Sequence, residues 1–154
     1  MRWFAPRNIA LLVIACAPVV LHAQAGTAAN TASGAVQEFI RAIADSNLTR
    51  VAQLWGNAKG PAARTHLPKD YEKKIVIMQA MIRSPEIKTL GDVPGENGMR
   101  TVTAQLSSHG CTVTIPVNVV KAKEGWLVHD FKLDDAAAVN KPCETGRRPG
   151  NPGR

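Results

Sequence analysis

The stretch CTVTIPVNVV, residues 111–120, decides the fold. Cys111, Val113, Ile115, Val117 and Val119 occupy every second position, so a strand would put them on one face and Thr112, Thr114, Pro116 and Asn118 on the other. Pro116 has no N–H to give to a neighbour, which predicts a sheet edge or a bulge at that point. Just upstream, MRTVTAQLSS (residues 99–108) sets Val102, Ala104 and Leu106 against Thr101, Thr103 and Gln105. His109-Gly110 between the two segments reads as a compact hairpin turn. Downstream, Glu124-Gly125 turns the chain into WLVHDFKL (residues 126–133), which is apolar on both faces and therefore reads as a central or well-covered strand. EIKTLGDV (residues 86–93) supplies a short first strand, and PGENG after it is a turn in which Asn97-Gly98 suits positive φ. The second half of the chain thus predicts an antiparallel sheet of about four strands.

Before residue 85 the period changes. Val36, Phe39, Ile40 and Ile43 recur at i, i+3, i+4 and i+7, one stripe of a helix with Ser33 as its expected N-cap. Asp45-Ser46-Asn47 ends that helix and caps the next, in which Val51, Leu54 and Trp55 share a face before Gly56. Residues 56–68, GNAKGPAARTHLP, have the composition of a loop. A third helix follows Pro68, opened by Lys69 or Asp70, with Tyr71, Ile75, Met78 and Ile82 at helical spacing and Pro85 closing it. Met78 and Met81 are read as fillers of core gaps. Three N-terminal helices followed by an antiparallel sheet of about four strands make an α+β order.

The ends carry a different signal. Arg2 and Arg7 precede the 13-residue apolar run Ile9–Leu21, and Ala23-Gln24-Ala25 is a small-x-small cleavage pattern. The run is short of the roughly 20 apolar residues that cross a bilayer. It reads as a secretory signal, residues 1–25, which leaves no transmembrane segment in the mature chain. Within it, Val13-Ile14-Ala15-Cys16 has the partial form of a lipobox, so lipidation of Cys16 is the alternative to cleavage after Ala25. Residues 26–33 form a small polar linker, 34–140 the folded domain, and 141–154 a flexible basic tail anchored by Cys143. The formal charge of +7 falls to +5 without the leader, and +3 of that lies in the tail. A domain near +2 with no basic face interleaved with aromatics excludes nucleic acid as the main partner. Cys111 and Cys143, an even pair in an oxidising compartment, read as a disulfide; a catalytic thiol at Cys111 beside His109 is the sharper alternative. If the last hairpin pairs symmetrically about Lys123–Gly125, Cys111 faces roughly Ala137 and Cys143 lies within reach.

The order of elements resembles the nuclear transport factor 2-like (NTF2-like), or cystatin-like, α+β superfamily, here in an exported bacterial form. The resemblance lies in AVQEFIRAIADSNLTRVAQLW (residues 35–55), two helices joined by a polar turn, and in EGWLVHDFKL (residues 124–133), a turn into a strand containing tryptophan. It implies a cone in which a curved sheet wraps a long helix, with a pocket between them in some members. Asn47 stands where an aspartate is common. The isomerase and dehydratase branches carry out proton transfer in that pocket, but the isomerase's tyrosine and two aspartates do not map onto this chain.

Proton transfer needs an acid or base desolvated in a pocket. The candidates are Tyr71, His129 and Asp130, with the last two expected on opposite faces of the final strand. His66, His109 and His129 are far apart in sequence and no metal-binding spacing occurs, so no metal or other cofactor is expected. Trp55 and Trp126 are read as core anchors. The reading that follows is a non-catalytic exported domain of the bacterial envelope, periplasmic or secreted, or lipid-anchored through Cys16. It would bind a small apolar ligand or an envelope protein, and the open sheet face, rich in Thr and Val, would suit a homodimer. The alternative is a proton-transfer enzyme of isomerase or lyase type using an acid or base on the last strand.

Overall fold

The computed structural model describes residues 29–83 and 85–141. The leader, Cys16, the first residues of the linker, Cys143 and the rest of the tail lie outside the described residues. Helix α1 (Ala32–Ala44) and α2 (Leu48–Leu54) are followed by a very small hairpin, β1 (Gly56–Asn57) and β2 (Gly60–Pro61), and a single turn, α3 (Ala62–Thr65). Helix α4 (Tyr71–Met81) leads into β3 (Glu86–Pro94), β4 (Arg100–Ser108), β5 (Cys111–Ala122) and β6 (Gly125–Phe131), and α5 (Leu133–Ala137) with a single 3-10 turn (Ala138–Asn140) completes the described elements. The main sheet is antiparallel in the order β3-β4-β5-β6, so the class is α+β.

The sheet forms where the alternation demanded it. Val102, Ala104 and Leu106 of β4 and Ile115, Val117 and Val119 of β5 are buried, as is Cys111, while Thr112, Thr114 and Pro116 are exposed. They meet Val36, Phe39, Ile40 and Ile43 of α1 in one core, and Phe39 sets its ring edge-on to Phe131 of β6 at 5.7 Å. All three glycine-containing turns hold positive φ, at Asn97 and Gly98, at His109 and Gly110, and at Gly125. Pairing of β5 with β6 begins at Val117–Phe131, so Pro116 sits just past the end of that partner and its missing N–H leaves no ladder bond unmade.

Several details differ from the expectations. Helix α1 is capped by Thr31, whose hydroxyl accepts from the Gly34 N–H at 3.0 Å, rather than by Ser33. Ala29, inside the expected linker, is already buried and accepts from the Trp126 N–H at 2.8 Å. The expected loop 56–68 contains β1, β2 and α3; the hairpin closes because Gly56 lets two backbones touch, where a Cβ would run into the Gly60 carbonyl, while a Cβ on Gly60 would meet the Arg64 guanidinium. Strand β6 is an edge strand, not a central one. It is nonetheless covered: Val128 lies in the main core, Leu127 joins Val120, Ala122 and Met99 in a second cluster, and the outer edge of β6 is bridged by Ala29 and Trp55. After Phe131 the chain does not extend the sheet but turns into α5, which buries Ala136, and the turn after it, which buries Val139. Its end is held to α4 by Asn140, whose amide donates to the Met81 carbonyl at 2.7 Å.

Candidate functional site

Three of the residues singled out from the sequence, Trp55, His129 and Asp130, meet at an irregularity in β6. Asn118 pairs with Asp130 and Val119 with Val128, so His129 is an extra residue on β6, a β-bulge. The bulge removes the strict alternation that would have sent His129 and Asp130 to opposite faces. Both are exposed and both line one groove. Trp55 is placed there by the extended backbone that ends α2, which lays it in a parallel bridge against Val128.

The contacts at the bulge are reciprocal. The Trp55 indole N–H donates to the His129 carbonyl at 3.2 Å. The His129 Nδ1 lies 2.9 Å from the Gly56 carbonyl oxygen. A carbonyl only accepts, so Nδ1 carries the proton in this contact and Nε2 is the ring's remaining polar atom. His129 therefore fastens the β1 segment to the sheet edge.

Two open grooves adjoin this point, with Trp55 and Asp130 on the rim of each. One, of about 350 Å³, runs toward α4 and α5 past Lys74, Ile77, Phe131 and Leu133. The other, of about 450 Å³, passes His129, Asn118 and Met99 toward Leu67 and Pro68. Tyr71 lines neither. It borders a third groove of about 430 Å³ with Leu48, Ala52, Ile75 and Val76, where its hydroxyl donates to the Glu72 carboxylate at 3.1 Å. Partial desolvation, and then the Glu72 carboxylate, raise the Tyr71 phenol above its ordinary value. The three proton-transfer candidates are thus divided between grooves that open to solvent.

The remaining candidates are also apart. His66 ends α3 in a left-handed conformation, 6.1 Å from the Tyr71 ring centre. His109 lines a polar groove with Arg83, Glu86, Ser107 and Ser108. Among the described residues no three His, Cys, Asp or Glu side chains gather in the manner of a metal site, and no helix is long and apolar enough to cross a membrane. The Cys111 sulfur is nearly buried and lies 3.3 Å from the carbonyl oxygen of Lys141. The β6 bulge is the feature that sequence reasoning missed. No local signal marks it, since the consecutive Leu127 and Val128 alternate normally and face different clusters.

No protein-family model matches the chain, and no curated protein matches it. Among solved structures it is similar to a crystal structure from Campylobacter jejuni described as an NTF2-like transpeptidase. The two share 12% identity over 62% of this chain and 94% of that chain, with a TM-score of 0.44.

Proposed function

We propose that this chain is a non-catalytic, exported domain of NTF2-like form that binds through its surface, and that its partner is a protein rather than an enclosed small molecule. One observation carries the reading. The space between α1 and the sheet, where such a cone holds its ligand, is filled by Phe39, Ile40, Ile43, Leu106, Ile115 and Val117, all almost fully buried. Surface binding is what remains to a fold whose interior is packed.

The outer face of β4 and β5 is the preferred surface, and a second copy of the chain the preferred occupant. Its cross-strand pairs are Thr103–Pro116, Gln105–Thr114 and Ser107–Thr112, an uncharged row whose burial leaves no unpaired charge. The Ser107 and Thr112 hydroxyls already bond one another at 3.0 Å, which reduces the polar groups a partner would have to satisfy. The proton-transfer alternative requires Tyr71 to share a cavity with His129 or Asp130, and these residues line different grooves. Export follows from the leader, with a mature start at Gly26. A link between Cys111 and Cys143 is supported by the Cys111 sulfur lying beside Lys141, two residues before Cys143.

Native mass spectrometry of the protein recovered from an exporting host tests the reading. The expected species is a dimer of chains starting at Gly26, with no retained small molecule, and Thr114→Arg should convert it to monomer. A stoichiometric small ligand would overturn the surface reading, and a dimer indifferent to Thr114→Arg would overturn the sheet-face assignment.

A further inference from the structure

Helix α4 buries one side and leaves an apolar crest. Ile75 and Met78, with Ile82 just beyond the helix, face the core, whereas Val76 and Ile77 are 54% and 42% exposed. Leu48, 43% exposed at the start of α2, shares a groove with Val76. Exposed apolar residues scattered singly need no account. Here Val76 and Ile77 are adjacent on a ridge with an open groove along each side.

The charges around them are not evenly mixed. At 100° per residue, Lys73 and Ala80 fall on the outward line of α4, with Val76 and Ile77 to either side; all four are exposed. Lys69 lies just before the helix and Arg83 just after it, both exposed. Residues 69–83 carry a net +2. Their two carboxylates are engaged within the segment, Asp70 with Lys74 at 3.4 Å and Glu72 with the Tyr71 hydroxyl at 3.1 Å. The apolar pair therefore stands between cations at both ends.

We propose that the α4 ridge docks on an anionic lipid bilayer. Val76 and Ile77 enter the boundary between headgroups and acyl chains, while Lys69, Lys73 and Arg83 meet the phosphates. Two outward apolar side chains flanked by cations can seat at the headgroup boundary while the cations meet phosphates, and each cation held near an anionic leaflet raises affinity several-fold. A convex ridge also suits a deformable lipid surface, whereas a peptide partner is more often received by a groove. The inference rests on α4 alone and is independent of the sheet-face reading.

Sedimentation with vesicles of phosphatidylcholine, with and without phosphatidylglycerol, tests it on the protein recovered from an exporting host. Binding should require phosphatidylglycerol and weaken steeply as salt shortens the screening length to about 10 Å near 0.1 M. The double variant Val76→Asp/Ile77→Asp should lose roughly tenfold or more in vesicle affinity, and Lys73→Glu several-fold. Both should keep the wild-type circular dichroism, because the altered side chains are exposed. Leu90→Asp, which changes a similarly exposed apolar residue on β3, should leave binding unchanged. Equal binding by the double variant and wild type would assign the attraction to the basic tail and overturn the proposal. Binding without phosphatidylglycerol, or no binding at all, would overturn it as well. A dimer that the double variant dissociates without lipid would make the ridge a contact between copies and overturn it too.

Discussion

Tyr71 and Glu72 are consecutive on α4, and their contact fixes what the phenol can do. A phenol that donates to a carboxylate at 3.1 Å keeps its proton more tightly than one in water. Desolvation, then Glu72, push its pKa upward, so Tyr71 is a hydrogen-bond donor at neutral pH and not a base. The folded-state value exceeds the unfolded value of about 10. Its contribution to stability is therefore complete below about pH 10 and is lost as pH rises through the folded value. Tyr71 is the chain's one tyrosine, so a near-ultraviolet titration reads it directly. The midpoint should lie above the ordinary phenol value, and Glu72→Gln should lower it part of the way, leaving the desolvation component. A wild-type midpoint at the ordinary value would remove Glu72 as its partner. Single residues were legible where the chemistry is local. Asn97-Gly98 encodes its own positive φ, and Asn47 caps α2 by accepting from the Arg50 N–H at 3.0 Å. The role of His129 was not legible, because its partner Gly56 is 73 positions away and the bulge that presents it depends on tertiary pairing.

The same division between local and distant causes governs whole elements. Helices α1, α2 and α4 and strands β3 to β6 were readable because each has enough residues to establish a period. Strands β1 and β2, helix α3 and helix α5 span only two to five residues each, too few for any period to show. They form because neighbouring elements cover them, as β1 is covered by β5 and β6, and α5 by β5 and α4. The start of α1 is an intermediate case, since Thr31 and Ser33 are both good N-cap residues and sequence alone favoured the second. The backbone decides between them: Thr31 is extended, at φ −126° and ψ 154°, and its hydroxyl reaches the Gly34 N–H, whereas Ser33 is already helical. Thr31→Ala should cost about 1 kcal/mol of unfolding free energy. Ser33→Ala, at a helical position where alanine has the better propensity, should cost less than about 0.5 kcal/mol. Urea denaturation of the two variants separates the sites, and the reverse order would return the cap to Ser33.

At the scale of the molecule, the fold must be closed at both ends of its sheet. At the β6 edge, Ala29 and Trp55 cover the ladder by backbone bridges. On the α1 side of the sheet the chain returns through α5, and Lys141 arrives beside Cys111 at the start of β5. A symmetric register sets Cys111 opposite about Ala137 and has the tail turn back over the sheet edge; instead the strand ends at Phe131 and a helical turn shortens the path, which a register count cannot foresee. A link from Cys111 to Cys143 would tie this return to the β4–β5 turn and close a loop of about thirty residues. Such a loop is worth roughly 3–4 kcal/mol in the chain-entropy model. Three outcomes follow from that link. Thiol titration of the denatured, unreduced protein starting at Gly26 should find no free thiol. The Cys111→Ser/Cys143→Ser variant should unfold at lower urea by an amount equivalent to about 2–4 kcal/mol, with little change in native circular dichroism, since the sheet's own packing does not depend on the sulfurs. Reductant should destabilise the wild type by a similar amount and leave the double variant unaffected. Two titratable thiols in the unreduced exported protein would mean that α5 and the Asn140–Met81 contact alone hold the end of the chain in place.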